Sequence, residues 1–144
     1  MLTCSTGVAE VREELQNLLK SLGEPFFVYL ETDALELTKT FLAARPGEFG
    51  VSDYDLRCCM ALELLDLAVS TDMGDSAESI ILPDHLMAHA IDQVRQLDEP
   101  RVVEALATGI SSVAADRAAG LSEFRSHLFA AGRVLAAGSA KQFA

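Results

Sequence analysis

Tryptophan is absent and tyrosine occurs twice. Too few flat aromatic faces are available to build a base-stacking platform for single-stranded nucleic acid. Basic residues are also scarce: 11 Lys and Arg stand against 22 Asp and Glu, a net charge of −11. Nucleic-acid affinity draws mostly on neutralised phosphates, so direct binding of that kind is not expected. Cysteine is limited to Cys4, Cys58 and Cys59. The adjacent pair cannot close a disulfide without distorting the peptide between them. No Cys-x-x-Cys occurs either, so free thiols in a reducing cytoplasm are expected.

Other absences narrow the reading further. No apolar run approaches the roughly 20 residues of a membrane-spanning helix. "MLTCSTG" places a cysteine near the start without a basic n-region or an apolar h-region before it, so neither a signal peptide nor a lipid anchor is expected. There is no glycine-rich phosphate loop, no Gly-x-Ser-x-Gly elbow and no His-Glu-x-x-His. The acidic stretch "TDMGDSAES" lacks the alternating oxygen ligands of a calcium loop. The chain is therefore expected not to be an enzyme.

What is present is apolar periodicity. Half of the 144 residues are hydrophobic, enough for a core in one domain spanning 1–144. Val8, Val11, Leu15, Leu18, Leu19 and Leu22 repeat at helical spacing and predict a helix over 7–22, capped by Ser5 or Thr6 and ended by Gly23. Phe26, Leu30, Ala34, Leu37, Phe41 and Ala44 step by threes and fours, which favours one helix over 25–44 before the Pro46-Gly47 stop. The alternative is a short strand to Leu30 and then a helix capped by Thr32 or Asp33, but a lone strand lacks a partner. Ser52 caps a helix over 53–70 that is apolar nearly all round. Its polar strip holds only Asp55, Cys59, Glu63, Asp66 and Ser70, which marks it as the central helix of the fold. A helix from Pro83 to about Leu97 follows. The next has Asp98 as cap, Pro100 in its first turn, an apolar face and Gly120 as its stop. The last is capped by Ser122, carries Phe124, Leu128, Ala131 and Leu135 on one face and stops at Gly138. Residues 139–144 read as a frayed tail. The fold class is thus all-α: a single-domain bundle of about six amphipathic helices. Gly132 falls inside the last helix, which is best tolerated where two helices approach closely.

Charge is unevenly distributed. Between Glu48 and Glu99 there are 12 acids against Arg57 and Arg95, whereas residues 101–144 hold 3 acids and 5 bases. An acidic middle can face a basic partner. The primary expectation is therefore a protein–protein interaction module of the regulator, inhibitor, immunity-type or chaperone-like kind. Asp72, Asp75, Glu78, Asp84, Asp92, Asp98 and Glu99 are its candidate contact residues. Homodimerisation through the Ala- and Gly-rich last helix is a further expectation.

One motif supports a different class. In "PDHLMAHAID", His85, His89 and Asp92 lie at i, i+4 and i+7 and share one helix side. Such a set can ligate zinc or iron, so the alternative is a metal-binding or metal-dependent protein. The wheel weighs against it: Leu86, Met87, Ala90, Ile91, Val94 and Leu97 gather on the opposite side, which directs the histidines to solvent and away from a closed second shell. Cys58 reads as packing. Cys59, on the acid strip, reads as a thiol held protonated by nearby carboxylates. His127 sits on the polar flank of the last helix, with Arg125 and Arg133 near it in sequence.

Overall fold

A computed structural model describes residues 4–23, 35–45, 50–70, 77–120 and 125–139. Among them are six helices and no strand: α1 (Cys4–Leu22), α2 (Glu36–Ala44), α3 (Asp53–Ser70), α4 (Ala77–Arg95), α5 (Pro100–Ala118) and α6 (Arg125–Gly138). The all-α bundle read from periodicity is the observed architecture. Helix α3 is central, touching α1, α2, α4 and α6. Its Leu62, Leu64 and Leu65 are all shut from water, although they point in different directions around the helix. A side chain can be buried on every side only if neighbours cover every side.

The other helices bury the stripes expected of them. Val8, Val11, Leu15 and Leu19 of α1, Leu86, Ala90 and Val94 of α4, Val102, Leu106 and Val113 of α5, and Leu128, Ala131 and Leu135 of α6 meet in one core. Small residues set the closest approaches. A methyl group on Gly7 would come within 2.8 Å of both Leu42 and Val51, so α1 lies hard against α2 there. One on Gly132 would come 3.3 Å from Leu62. The close contact expected at Gly132 is therefore between α6 and α3 of the same chain.

Several boundaries differ from the sequence reading, each for a local reason. Helix α1 starts at Cys4, so Ser5 and Thr6 lie inside its first turn instead of capping it. The continuous helix over 25–44 is interrupted: Leu35 is left-handed, with φ 41° and ψ 46°, and α2 begins after it. A straight helix would put Leu35 and Leu37 about 200° apart around its axis, whereas the break lets both be buried. Residues 24–34, where Thr32, Asp33 and the possible strand fall, lie outside the described residues. Helix α4 starts at Ala77 and carries Pro83 within it. The ring removes one backbone hydrogen bond without ending the helix, because Leu86, Ala90 and Val94 are fully buried in the core just beyond it.

Asp98 does not cap α5. The residue before that helix is Glu99, without a side-chain cap bond, and Pro100 opens the first turn. Asp98 instead adopts φ 51° and donates its N–H to the Arg95 carbonyl. It closes α4 in the left-handed conformation that Asp tolerates better than most residues. Gly120, at φ 76°, ends α5 as expected, its N–H bonded to the Arg117 carbonyl. Ser139, the first residue of the expected frayed tail, is fully buried; residues 140–144 lie outside the described residues.

Candidate interaction surface

Two acid-bearing strips, on the adjacent helices α3 and α4, account for most of the placed acidic residues of the middle segment. The α3 strip is internal. Ser52 Oγ accepts the Asp55 N–H at 3.1 Å and Asp55 Oδ2 accepts the Ser52 N–H at 3.2 Å, a reciprocal capping box. The same carboxylate takes an ion pair from Arg45 at 2.8 Å and a hydrogen bond from Ser139 Oγ at 2.7 Å. Asp55 therefore ties the end of α2 and the end of α6 to the start of α3. Its side chain is 0% exposed and that of Arg45 is 5%, so each charge depends on the other for what water no longer supplies.

Two turns along, Glu63 Oε2 accepts the Thr38 backbone N–H at 3.1 Å and the Thr38 hydroxyl at 2.7 Å. Thr38 is the third residue of α2. Glu63 thus supplies from another helix the cap that α2 lacks locally. Burial pushes the Glu63 carboxyl above its ordinary range, and the two Thr38 bonds pull the other way. One turn further, Arg125 Nε donates to Asp66 Oδ1 at 2.9 Å and joins α6 to α3. Burial raises the Asp66 carboxyl as well, with Arg125 opposing. Cys59 lies between these groups, fully buried. Its thiol is pushed well up, first by desolvation and then by Cys58, Glu63 and Asp55. The carboxylate effect expected at Cys59 operates, but removal from water is the larger cause. Basic and hydroxyl groups at α2 and α6 cover this strip.

The α4 strip is external. Asp84 and His85 are exposed, and His89 and Asp92 are half-exposed, opposite the buried Leu86, Ala90 and Val94. The segment is helical and its apolar side turns inward, as the wheel requires. Asp98 is exposed and Glu99 half-exposed at the turn into α5. Of the other candidate contact residues, Asp72 and Asp75 lie outside the described residues, as does the side chain of Glu78.

The metal set is not assembled. Among the described residues no three His, Cys, Asp or Glu side chains gather where one ion would reach them. Asp92 is committed elsewhere: Arg95 Nη2 donates to it at 2.8 Å and Gln96 Nε2 at 3.2 Å. Those partners lie three and four residues onward, at the last residue of α4 and in the turn just after it, a spacing that brings them within reach of Asp92.

Sequence reasoning missed the tertiary partners of the α3 acids. It also missed a groove between α5 and α6 lined by Arg101, Glu104, Thr108, Ser112, His127 and Val134. The signals were Gly109, which faces Ala131 across the two helices, and His127, whose Nε2 lies 2.6 Å from Asp116 Oδ2 and links the two helices. Arg125 also places its guanidinium 5.6 Å from the Phe129 ring centre. The small residues of α6 proposed as a dimer face, Ala131, Gly132 and Ala136, are buried within the chain. No helix among the described residues is long and apolar enough to cross a membrane.

Comparison with known proteins finds no matching family model, no similar curated protein and no similar solved structure.

Proposed function

We propose that the protein is a non-enzymatic, cytoplasmic interaction module that binds a basic partner protein through the outer strip of α4 and the turn that follows it. The observation that carries this reading is the division of the acids. Asp55, Glu63 and Asp66 are consumed by Arg45, Thr38 and Arg125, whereas Asp84, Asp98 and Glu99 remain at least partly exposed on the outside. The two bases of the segment do little to offset them. Arg57 is engaged by Asp53 at 3.0 Å and by Gln93 at 3.2 Å, and Arg95 by Asp92. A helix and its following turn that present unneutralised carboxylates steer a basic surface and set its register. The free, buried thiols of Cys58 and Cys59 suit a reducing compartment.

Affinity capture from the native cell, followed by binding measurements on the recovered partner, tests the proposal. Asp84→Lys, Asp98→Lys and Glu99→Lys combined should weaken binding at least tenfold, with wild-type affinity falling steeply as salt rises. A partner indifferent to both salt and charge reversal would remove the acidic surface from the account.

A further inference from the structure

The α5–α6 groove has the features of a protein contact and a charge pattern that selects the occupant. It encloses about 420 Å³. Its floor is made of Ala105, Gly109, Ala130 and Ala131, residues so short that two helices leave a trough between them. At its edge stands Val134, 63% exposed, the one large apolar side chain left in water among the described residues. A trough and an apolar knob on the same face are complementary to each other, but a knob cannot enter the trough beside it.

We propose that this face binds a second copy of the chain about a two-fold axis, with Val134 of each protomer seated in the trough of the other. The inference is independent of the acidic-surface reading and uses a different face. The occupant is argued from charge. Arg101 and Glu104 line the same groove and form no ion pair with another described residue. They lie three residues apart on α5. A two-fold axis passing between them brings Arg101 of one protomer to Glu104 of the other and repeats the pairing on the opposite side, as an isologous interface requires. A basic or an acidic partner would satisfy only one of the two. The α4 strip cannot play this role, because a two-fold there would set carboxylates against carboxylates. From helix dimensions the two-helix face is on the order of 20 by 25 Å. That places the contact at the small end of specific interfaces, consistent with reversible dimerisation at micromolar concentrations.

Sedimentation velocity of the full chain across about 1–200 µM tests the proposal, with circular dichroism confirming that each variant is folded. Wild type should pass from monomer to dimer in that range. Val134→Glu and Arg101→Glu should each raise the dissociation constant tenfold or more. Combining Arg101→Glu with Glu104→Arg should restore it to within a few-fold of wild type, a rescue that lost packing alone would not produce. A wild-type monomer throughout the range overturns the proposal. So does a dimer that ignores Val134→Glu, or a double variant as weak as the single. A monomer whose groove takes up an apolar dye, with uptake lost in Val134→Glu, assigns the groove to another occupant and equally overturns it. Asp84→Lys should leave sedimentation unchanged, so failure here is distinct from failure of the acidic-surface reading.

Discussion

Helices α3 and α4 each carry a strip of acidic residues, and the two strips have opposite fates. On α3, Asp55 and Glu63 are buried and each holds a group from another helix. On α4, Asp84 is exposed, and Asp92 finds its partners locally, at Arg95 and Gln96 three and four residues onward. The residue types are alike and the local helical patterns are alike. The difference lies in what the rest of the chain brings to each strip: an arginine, a threonine and a serine to α3, and solvent to α4. A carboxylate becomes structural when a remote donor reaches it and remains available for recognition when none does.

The largest effect that can break this contrast is at Asp55. Asp55→Ala strands the buried Arg45 guanidinium and frees Ser139 at the end of α6. We expect a loss of roughly 3–5 kcal/mol, read as a fall of about 10 °C in the melting temperature of a domain this size. A loss below 1 kcal/mol would mean that the ion pair is dispensable.

Glu63 comes next and separates charge from hydrogen bonding. Glu63→Ala leaves the Thr38 N–H and hydroxyl without their acceptor and should cost about 2–3 kcal/mol by urea denaturation. Glu63→Gln keeps an acceptor oxygen at that place and should cost much less. The pair also differs in pH dependence. Burial raises the Glu63 carboxyl in the folded chain above its ordinary value of about 4.5. The folded state therefore holds the proton to higher pH than the unfolded state does. The stability this contributes is full below the ordinary value and is lost as pH rises through the raised one. The groups facing it, Asp66, Cys59, Thr38 and Arg125, are unchanged in the variant, so wild type should lose more stability than Glu63→Gln across that window. Parallel pH curves would contradict the burial of this charge.

Cys59 sharpens the contrast kinetically. With both Cys58 and Cys59 at 0% exposure and their thiols pushed up by desolvation, alkylation in native buffer should be limited by unfolding and should become fast in denaturant.

How much of this was legible follows the same division. The helices, the central position of α3, the inward face of α4 and the stop at Gly120 all depend on residues within one turn or two of each other, and their spacing is written in the chain. The direction of the α3 strip is not local. Arg45 precedes Asp55 by ten residues and Ser139 follows it by 84, so no periodicity within α3 could show that its polar side faces a neighbour. The break at Leu35 escaped for the same reason, since its compensation lies in Glu63 and in the core. The outer strip was readable because nothing remote intervenes.

The smallest stability effects belong to α4. Asp84→Ala and Asp92→Ala should each stay within about 0.5 kcal/mol of wild type, because Asp84 is exposed and the Asp92–Arg95 pair has side chains 43% and 75% exposed. A loss above 1 kcal/mol at either position would make the outer strip structural after all.

The central claim, that recognition uses the acids the fold leaves over, is tested most directly by backbone amide NMR during titration with a short Lys- and Arg-rich helical peptide. The account predicts shifts concentrated at Asp84, Asp92, Asp98, Glu99 and their neighbours, fading as salt is added. Shifts confined to the α5–α6 groove, or a spectrum the peptide leaves untouched at low salt, would contradict it.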